Sequence, residues 1–218
     1  MSPASVHVLT VGRFGTAVAD RLKDLLTDVA VTPVTATHSH PMTWPTARLH
    51  VVASWRETDA LFDLVDRSAA AWRTPWLPVV LETSRLRIGP LVDPGHGACH
   101  RCFEHRRTQH DGRPEIAGIV REHYAANPGS GPDGFLPSQV TLAVSGVLGA
   151  MSRLQDERRD PVATVRTIDV LDGGVAENDV VPVHGCTRCG RERDLRRASV
   201  DRLARDLTTI LPAQEPTR

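Results

Sequence analysis

Two Cys-x-x-Cys pairs, Cys99/Cys102 and Cys186/Cys189, hold all four cysteines of this 218-residue chain. The pairs lie in different halves of the sequence, so the thiols act as one site only if the fold brings those halves together. Four thiolates in paired spacing are the complement that a closed tetrahedral zinc site takes up. Both pairs sit among turn formers. Pro94-Gly95-His96-Gly97 precedes the first, and His184-Gly185 and Gly190 enclose the second. The absence of a spare cysteine, and of any sign of an oxidising compartment, argues against two disulfides. A redox motif needs only one pair and opens a helix directly after a strand. His96, His100, His105 and His184 could each replace a thiolate, but beside four cysteines they read as supporting or surface histidines. Four protein ligands leave no position for water or substrate, so the expected zinc is a structural staple.

Composition narrows the function classes. Basic and acidic residues balance at 26 each, which gives no footprint for nucleic acid or an acidic membrane surface. Met1 to Val6 carries no charged segment followed by an apolar run, so no secretory signal is read there. The most apolar helix candidate, Val140 to Leu148, is far shorter than the ~20 residues of a membrane span. A soluble, cytoplasmic protein of one or at most two domains is expected.

The first third alternates strand and helix. Val6 to Val11 is a β-branched run ended by Gly12, and Arg13-Phe14-Gly15 follows. From Thr16, Val18, Leu22, Leu25 and Leu26 recur at helical spacing. This is the opening of a Rossmann-type unit. Val29 to Val34, Leu49 to Ala53 and Trp76 to Glu82 read as further strands, with a helix from Glu57 to Trp72. The turn has two of the three glycines of a dinucleotide fingerprint, Gly12 and Gly15. Phe14 is expected to crowd the phosphate position, and Val34-Thr35-Ala36-Thr37 offers no acid for a ribose. Gly12 and Gly15 therefore read as a vestigial loop and not as a working cofactor site.

Further on, Ile88 to Val92 reads as a short strand leading into the first knuckle. Helices are expected from the knuckle through Arg106, over Pro114 to Ala126 and over Ser138 to Glu157, with a loop from Asn127 to Gly134. Gly146 and Gly149 suit close packing on the sheet or across a subunit interface. Val162 to Leu171 and Val175 to Val183, separated by Asp172-Gly173-Gly174, form an expected antiparallel pair. The fold class is α/β: a Rossmann-like, mainly parallel sheet with flanking helices, an antiparallel C-terminal strand pair and a four-cysteine zinc site. Residues 1–192 form the expected domain and 193–218 a basic helix or tail.

The Rossmann-like start, the segment "PGHGACHRC", the Gly/Ala-rich helix, the β pair and the terminal "HGCTRCG" together resemble the ThiF-type fold of ubiquitin-activating-like enzymes. More narrowly, they resemble the cyclodehydratase partner, or leader-peptide-binding, proteins of azoline-forming peptide pathways. The likeness covers most of residues 6–191. It implies a structural zinc on Cys99, Cys102, Cys186 and Cys189, association with a peptide-modifying enzyme or precursor peptide, and a homodimer. Active ThiF-type enzymes hold ATP with a glycine-rich loop, an acid, an arginine and a lysine. Here the loop is incomplete, the acid is missing, and the one lysine, Lys23, lies within the first helix. Fuller family members begin with a winged-helix module, and this chain is read as starting without it. The resulting expectation is a ThiF-like partner or scaffold without chemistry of its own, with no catalytic residues.

Two alternatives belong to other classes. One is an adenylating enzyme with atypical ATP contacts from Arg13, Arg56 or Arg85. The other is a zinc-ribbon nucleic-acid binder using Arg188, Arg191, Arg193, Arg196 and Arg197, which the neutral net charge opposes. His38, Ser39 and His40 lack the strand-elbow-helix setting of a hydrolase nucleophile and read as surface loop. His100, Glu104, His105 and His110 read as support for the zinc. Trp44, Trp55, Trp72 and Trp76 read as core or rim packing, with a peptide groove as the other reading.

Overall fold

Largely buried strands and amphipathic helices alternate through the first half of the chain, with the edge strand Val29–Pro33 half-buried. β1 (Val6–Val11), β2 (Val29–Pro33), β3 (His50–Ser54) and β4 (Trp76–Glu82) pair in parallel in the order β2-β1-β3-β4. Helix α1 (Gly12–Leu25) buries Phe14, Val18 and Leu22 on one face of this sheet. Helix α2 (Asp59–Trp72) buries Leu61, Phe62 and Val65 on the other. Strands covered on both sides read as near-continuous apolar runs, as residues 51–53 of β3 and 76–81 of β4 do. The computed structural model describes residues 4–34, 40–127, 129–131, 134–155 and 163–190, with positions 204 and 207. His38, Ser39, Arg191, Arg193, Arg196, Arg197 and the rest of the expected tail apart from positions 204 and 207 lie outside the described residues.

The sheet then changes direction. β5 (Arg85–Ile88), β6 (Ala163–Asp169) and β7 (Val175–Val180) continue it as antiparallel neighbours, giving seven strands in the order β2-β1-β3-β4-β5-β6-β7. The strand expected from Ile88 to Val92 is displaced. Arg85-Leu86-Arg87-Ile88 forms β5 in a hairpin with β4, and the chain leaves it at Gly89, whose φ of 107° is a glycine conformation. The two arginines hid this strand from a reading of apolar runs.

Helices α3 (His100–His110), α4 (Pro114–Ala126) and α5 (Pro137–Gln155) connect β5 to β6. α5 packs on the same face as α1, burying Val140, Ala143, Val144 and Val147. Gly146 lets it come close: a Cβ there would meet Ile88 at 2.5 and 2.8 Å. The expected packing on the sheet is thus found at Gly146, while Gly149 faces open space. Among the described residues, no helix is long and apolar enough to cross a membrane.

Candidate metal centre and glycine-turn cleft

The two knuckles meet. Cys99 Sγ lies 3.8 Å from Cys102 Sγ and 3.6 Å from Cys186 Sγ, and Cys102 Sγ lies 3.5 Å from Cys189 Sγ. All four sulfurs fall within 4.8 Å of one another, and none is in a disulfide. Zinc–sulfur bonds of about 2.3 Å in a tetrahedron place sulfurs about 3.8 Å apart, so the spacing fits one metal ion. The first knuckle opens α3, with Cys102 N–H donating to the Cys99 carbonyl. The second turns through Gly185 (φ 70°), and Gly190 N–H donates to the Cys186 carbonyl. Val183 N–H points at Cys102 Sγ, a contact that suits a thiolate. Without a metal the thiols compete for protons. The hydrogen bond with Cys189 pushes Cys102 up to about 11, while those from Cys102 and Cys99 hold Cys189 far below the thiol range. A metal removes that conflict by taking all four as thiolates.

The second knuckle is also latched to the first half by charge. Arg188 reaches α2, 3.0 Å from Asp63 and 3.6 Å from Asp66. Asp66 is buried and accepts from Trp76 Nε1 (3.2 Å) and from the His100 backbone N–H (3.3 Å). One carboxylate thereby ties β4, α2, the start of α3 and the second knuckle together. Arg188, a candidate for nucleic-acid contact in the sequence, is thus turned inward onto aspartates.

The glycine turn gives the clearest correction. Phe14 does not crowd a phosphate position; it is fully buried in the core, edge-on to Phe135. Gly15 packs so tightly on the Ala53 carbonyl that only glycine fits. Gly12, at φ 70°, faces the indole of Trp55, which occupies the space a Cβ would need. In open α/β sheets ligands settle at the carboxyl ends of strands where the order reverses, here between β1 and β3. Trp55 follows β3 directly and stands beside Gly12 at that crevice.

Arg56 holds Trp55 down. Its guanidinium lies 4.6 Å from the Trp55 ring centre and 4.8 Å from that of Tyr124, and it donates to the Ser130 carbonyl at 3.1 Å. Arg56 thus lies between Trp55 and Tyr124 over the turn. Arg85, the second arginine in the adenylation alternative, sits 4.0 Å from Asp169 on the antiparallel side, and Arg13 is exposed at the start of α1. Lys23 faces outward and pairs with Asp20.

Beside Trp55 a cleft of about 860 Å³ remains, walled by Trp55, Tyr124, Arg121 and Asn178 and floored by Glu57 and Arg107. Its floor belongs to a charge network that periodicity does not register. Arg87, 4% exposed, reaches Glu57 at 2.9 Å, Glu82 at 3.4 Å and the Gly89 carbonyl at 2.8 Å. Arg107 closes on Glu57 and lies 2.8 Å from Glu104. Burial alone would raise Glu57, but Arg87 and Arg107 overcome it and hold its carboxyl at about 2. Burial and the Glu57 charge push Glu104 up to about 7. His100, packed among Phe62, Trp76 and Phe103, is lowered to about 3 by burial and by Arg87. Its Nε2 faces Glu57 at 4.0 Å and Glu104 at 3.8 Å. Glu57, His100 and Glu104 are close enough for a metal. The two arginines already neutralise that cluster, which argues against a cation there. Of the other histidines expected to support the zinc, His96 lies 3.3 Å from Asp93 and His105 3.4 Å from Gln109.

The tryptophans divide. Trp76 is buried in the core; Trp44 and Trp72 cover a buried pair, His7 and His50, whose Nδ1 atoms are 2.9 Å apart. Only Trp55 lines the cleft.

No protein-family model matches the sequence, and no curated protein matches it. Solved structures do. A heterocyclase in complex with substrate and cofactor superposes with a TM-score of 0.61 at 19% identity, over 90% of this chain and 27% of that one. The heterocyclase TruD gives 0.58 at 19% identity, over 99% of this chain and 30% of that one. E. coli MccB with selenomethionyl MccA gives 0.58 at 15% identity, over 86% of this chain and 66% of that one. The chain thus spans under a third of the heterocyclases and about two thirds of MccB. Likeness at this identity establishes architecture alone: the chain shares the fold of these heterocyclase and MccB structures.

Proposed function

We propose that this chain is a non-catalytic ThiF-like partner in the biosynthesis of a ribosomally made, modified peptide, binding a modifying enzyme, its precursor peptide or both. The observation that carries the reading is Trp55 seated on Gly12 at the strand-order switch point, under Arg56 and Tyr124. A nucleotide needs that space for its phosphates and needs free backbone N–H groups there. The fold neighbours support the peptide context: one is a heterocyclase with its substrate, and another is MccB with MccA. Cys99, Cys102, Cys186 and Cys189 hold a structural zinc in this reading, because their spacing suits four thiolates and leaves no open position.

The test is capture with the tagged chain from its native host, followed by reconstitution. Recovery of a peptide-modifying enzyme or precursor, with about one zinc per chain, and faster modification when the chain is added are the expected results. Bound nucleotide with no such companion would overturn the reading and favour an adenylating enzyme.

A further inference from the structure

The two edge strands of the sheet differ. β2 is half-buried and ends at Pro33, which has no N–H to offer. β7 is exposed from Val175 through Asp179 and contains neither proline nor lysine. Its pairing with β6 runs without a bulge. Asp169 N–H donates to the Gly174 carbonyl, which sets the alternation along the ladder. Ala176, Asn178 and Val180 exchange hydrogen bonds with β6, so Val175, Glu177 and Asp179 direct theirs outward. Among the described residues, no hydrogen bond reaches the backbone N–H or C=O of those three. Unpaired backbone groups along an edge strand are a template for another strand.

We propose that β7 is a docking edge for an extended basic peptide segment, which adds to the sheet as an eighth strand. This rests on the peptide-partner reading above and names the chemistry of the segment. Glu177 and Asp179 project on one face of the edge. Arg166 engages Glu177 at 2.8 Å, but the Asp179 carboxylate meets only the Thr164 hydroxyl at 3.3 Å among the described residues. Arginine or lysine in register beside these acids is favourable, and a like-charged strand is not. A second copy pairing about a two-fold axis at Glu177 would set that acid against itself, so the edge suits a basic partner better than its own copy. Asn178 also lines the 860 Å³ cleft, so β7 borders it.

The test uses the full chain and three capped peptides: alternating arginine and valine, alternating glutamate and valine, and alternating arginine and proline. The last keeps the charge but cannot pair as a strand. The arginine–valine probe is expected to bind best and to slow hydrogen exchange at Val175, Glu177 and Asp179. Val175→Pro removes an outward N–H without touching the β6 ladder, and should weaken binding about tenfold. Persistent protection of the Val165 and Thr167 amides shows that the variant has folded. Asp179→Lys should shift preference toward the glutamate–valine probe. Equal binding of the arginine–proline probe, unchanged exchange along β7, or full affinity in the proline variant would overturn the proposal. Protection confined to Arg121 and Tyr124 would also overturn it while leaving the peptide-partner reading standing. That reading fails separately, if modification by the captured enzyme does not depend on this chain.

Discussion

β3 is buried at every position and β4 at all but its last, whereas β7 is exposed at five of its six, although all three belong to one sheet. The parallel half has two apolar layers, one under α1 and α5 and one under α2. The antiparallel half has a small cluster of its own, in which Phe103, Ala163, Val165 and Val180 surround the cysteines. The first half can fold on hydrophobic burial. The second has only this smaller cluster of its own, and a metal held by the four cysteines would add what burial there does not supply.

Metal removal should therefore show the largest effect. Structural zinc in finger peptides contributes on the order of 10–16 kcal/mol at neutral pH. Chelation, or Cys189→Ser, is expected to release amide protection in α3, β6 and β7 while β1, β3 and β4 stay protected. Hydrogen exchange reads both halves at once, and uniform loss would break the comparison.

Next comes the junction. Arg87 lies on β5, where the halves meet, and its removal leaves Glu57 buried with Arg107 alone. Arg87→Ala should cost roughly 3–5 kcal/mol in denaturant unfolding. Adding Glu57→Gln should recover part of the loss, because the stranded charge goes too. No recovery would mean that Arg87 contributes packing and not charge.

Acid probes the parallel half. Burial, and for His7 also the charge of His50, lowers both histidines to about 4 in the folded protein. The unfolded chain takes up these protons near pH 6.5, the native state only near 4. Stability from the pair is thus complete above pH 6.5 and falls as pH drops to 4, by up to about 3 kcal/mol for each histidine. Trp44 and Trp72 flank the pair, so tryptophan fluorescence follows the transition. A His7→Leu/His50→Leu variant should show a flatter pH profile from 6.5 to 4. The smallest effect is steric: Gly146→Ala drives a methyl into Ile88 and should cost about 1–3 kcal/mol in thermal unfolding.

The parallel strands, α1, α2, the β6–β7 pair and the four cysteines were legible in the sequence because each follows a period or a spacing. β5 was not, because Arg85 and Arg87 interrupt its apolar pattern; they answer to Asp169 and to Glu57 and Glu82, residues distant in sequence or across a hairpin. The missing third glycine of the turn was legible, but the side chain that stands against the turn was misassigned. Phe14 stands beside the turn in sequence, while Trp55 reaches it only through β1–β3 pairing. The His7–His50 contact was hidden for the same reason: two ordinary strand positions become partners once the register is set.

The central claim is that Trp55 closes the crevice where a nucleotide would sit. Calorimetric titration of the zinc-loaded chain with ATP and Mg²⁺, paired with ATP–pyrophosphate exchange, tests it most directly. The expected result is no saturable heat and no exchange. Saturable binding with exchange that substitutions at Gly12 and Gly15 abolish would contradict the claim and make the chain an adenylating enzyme.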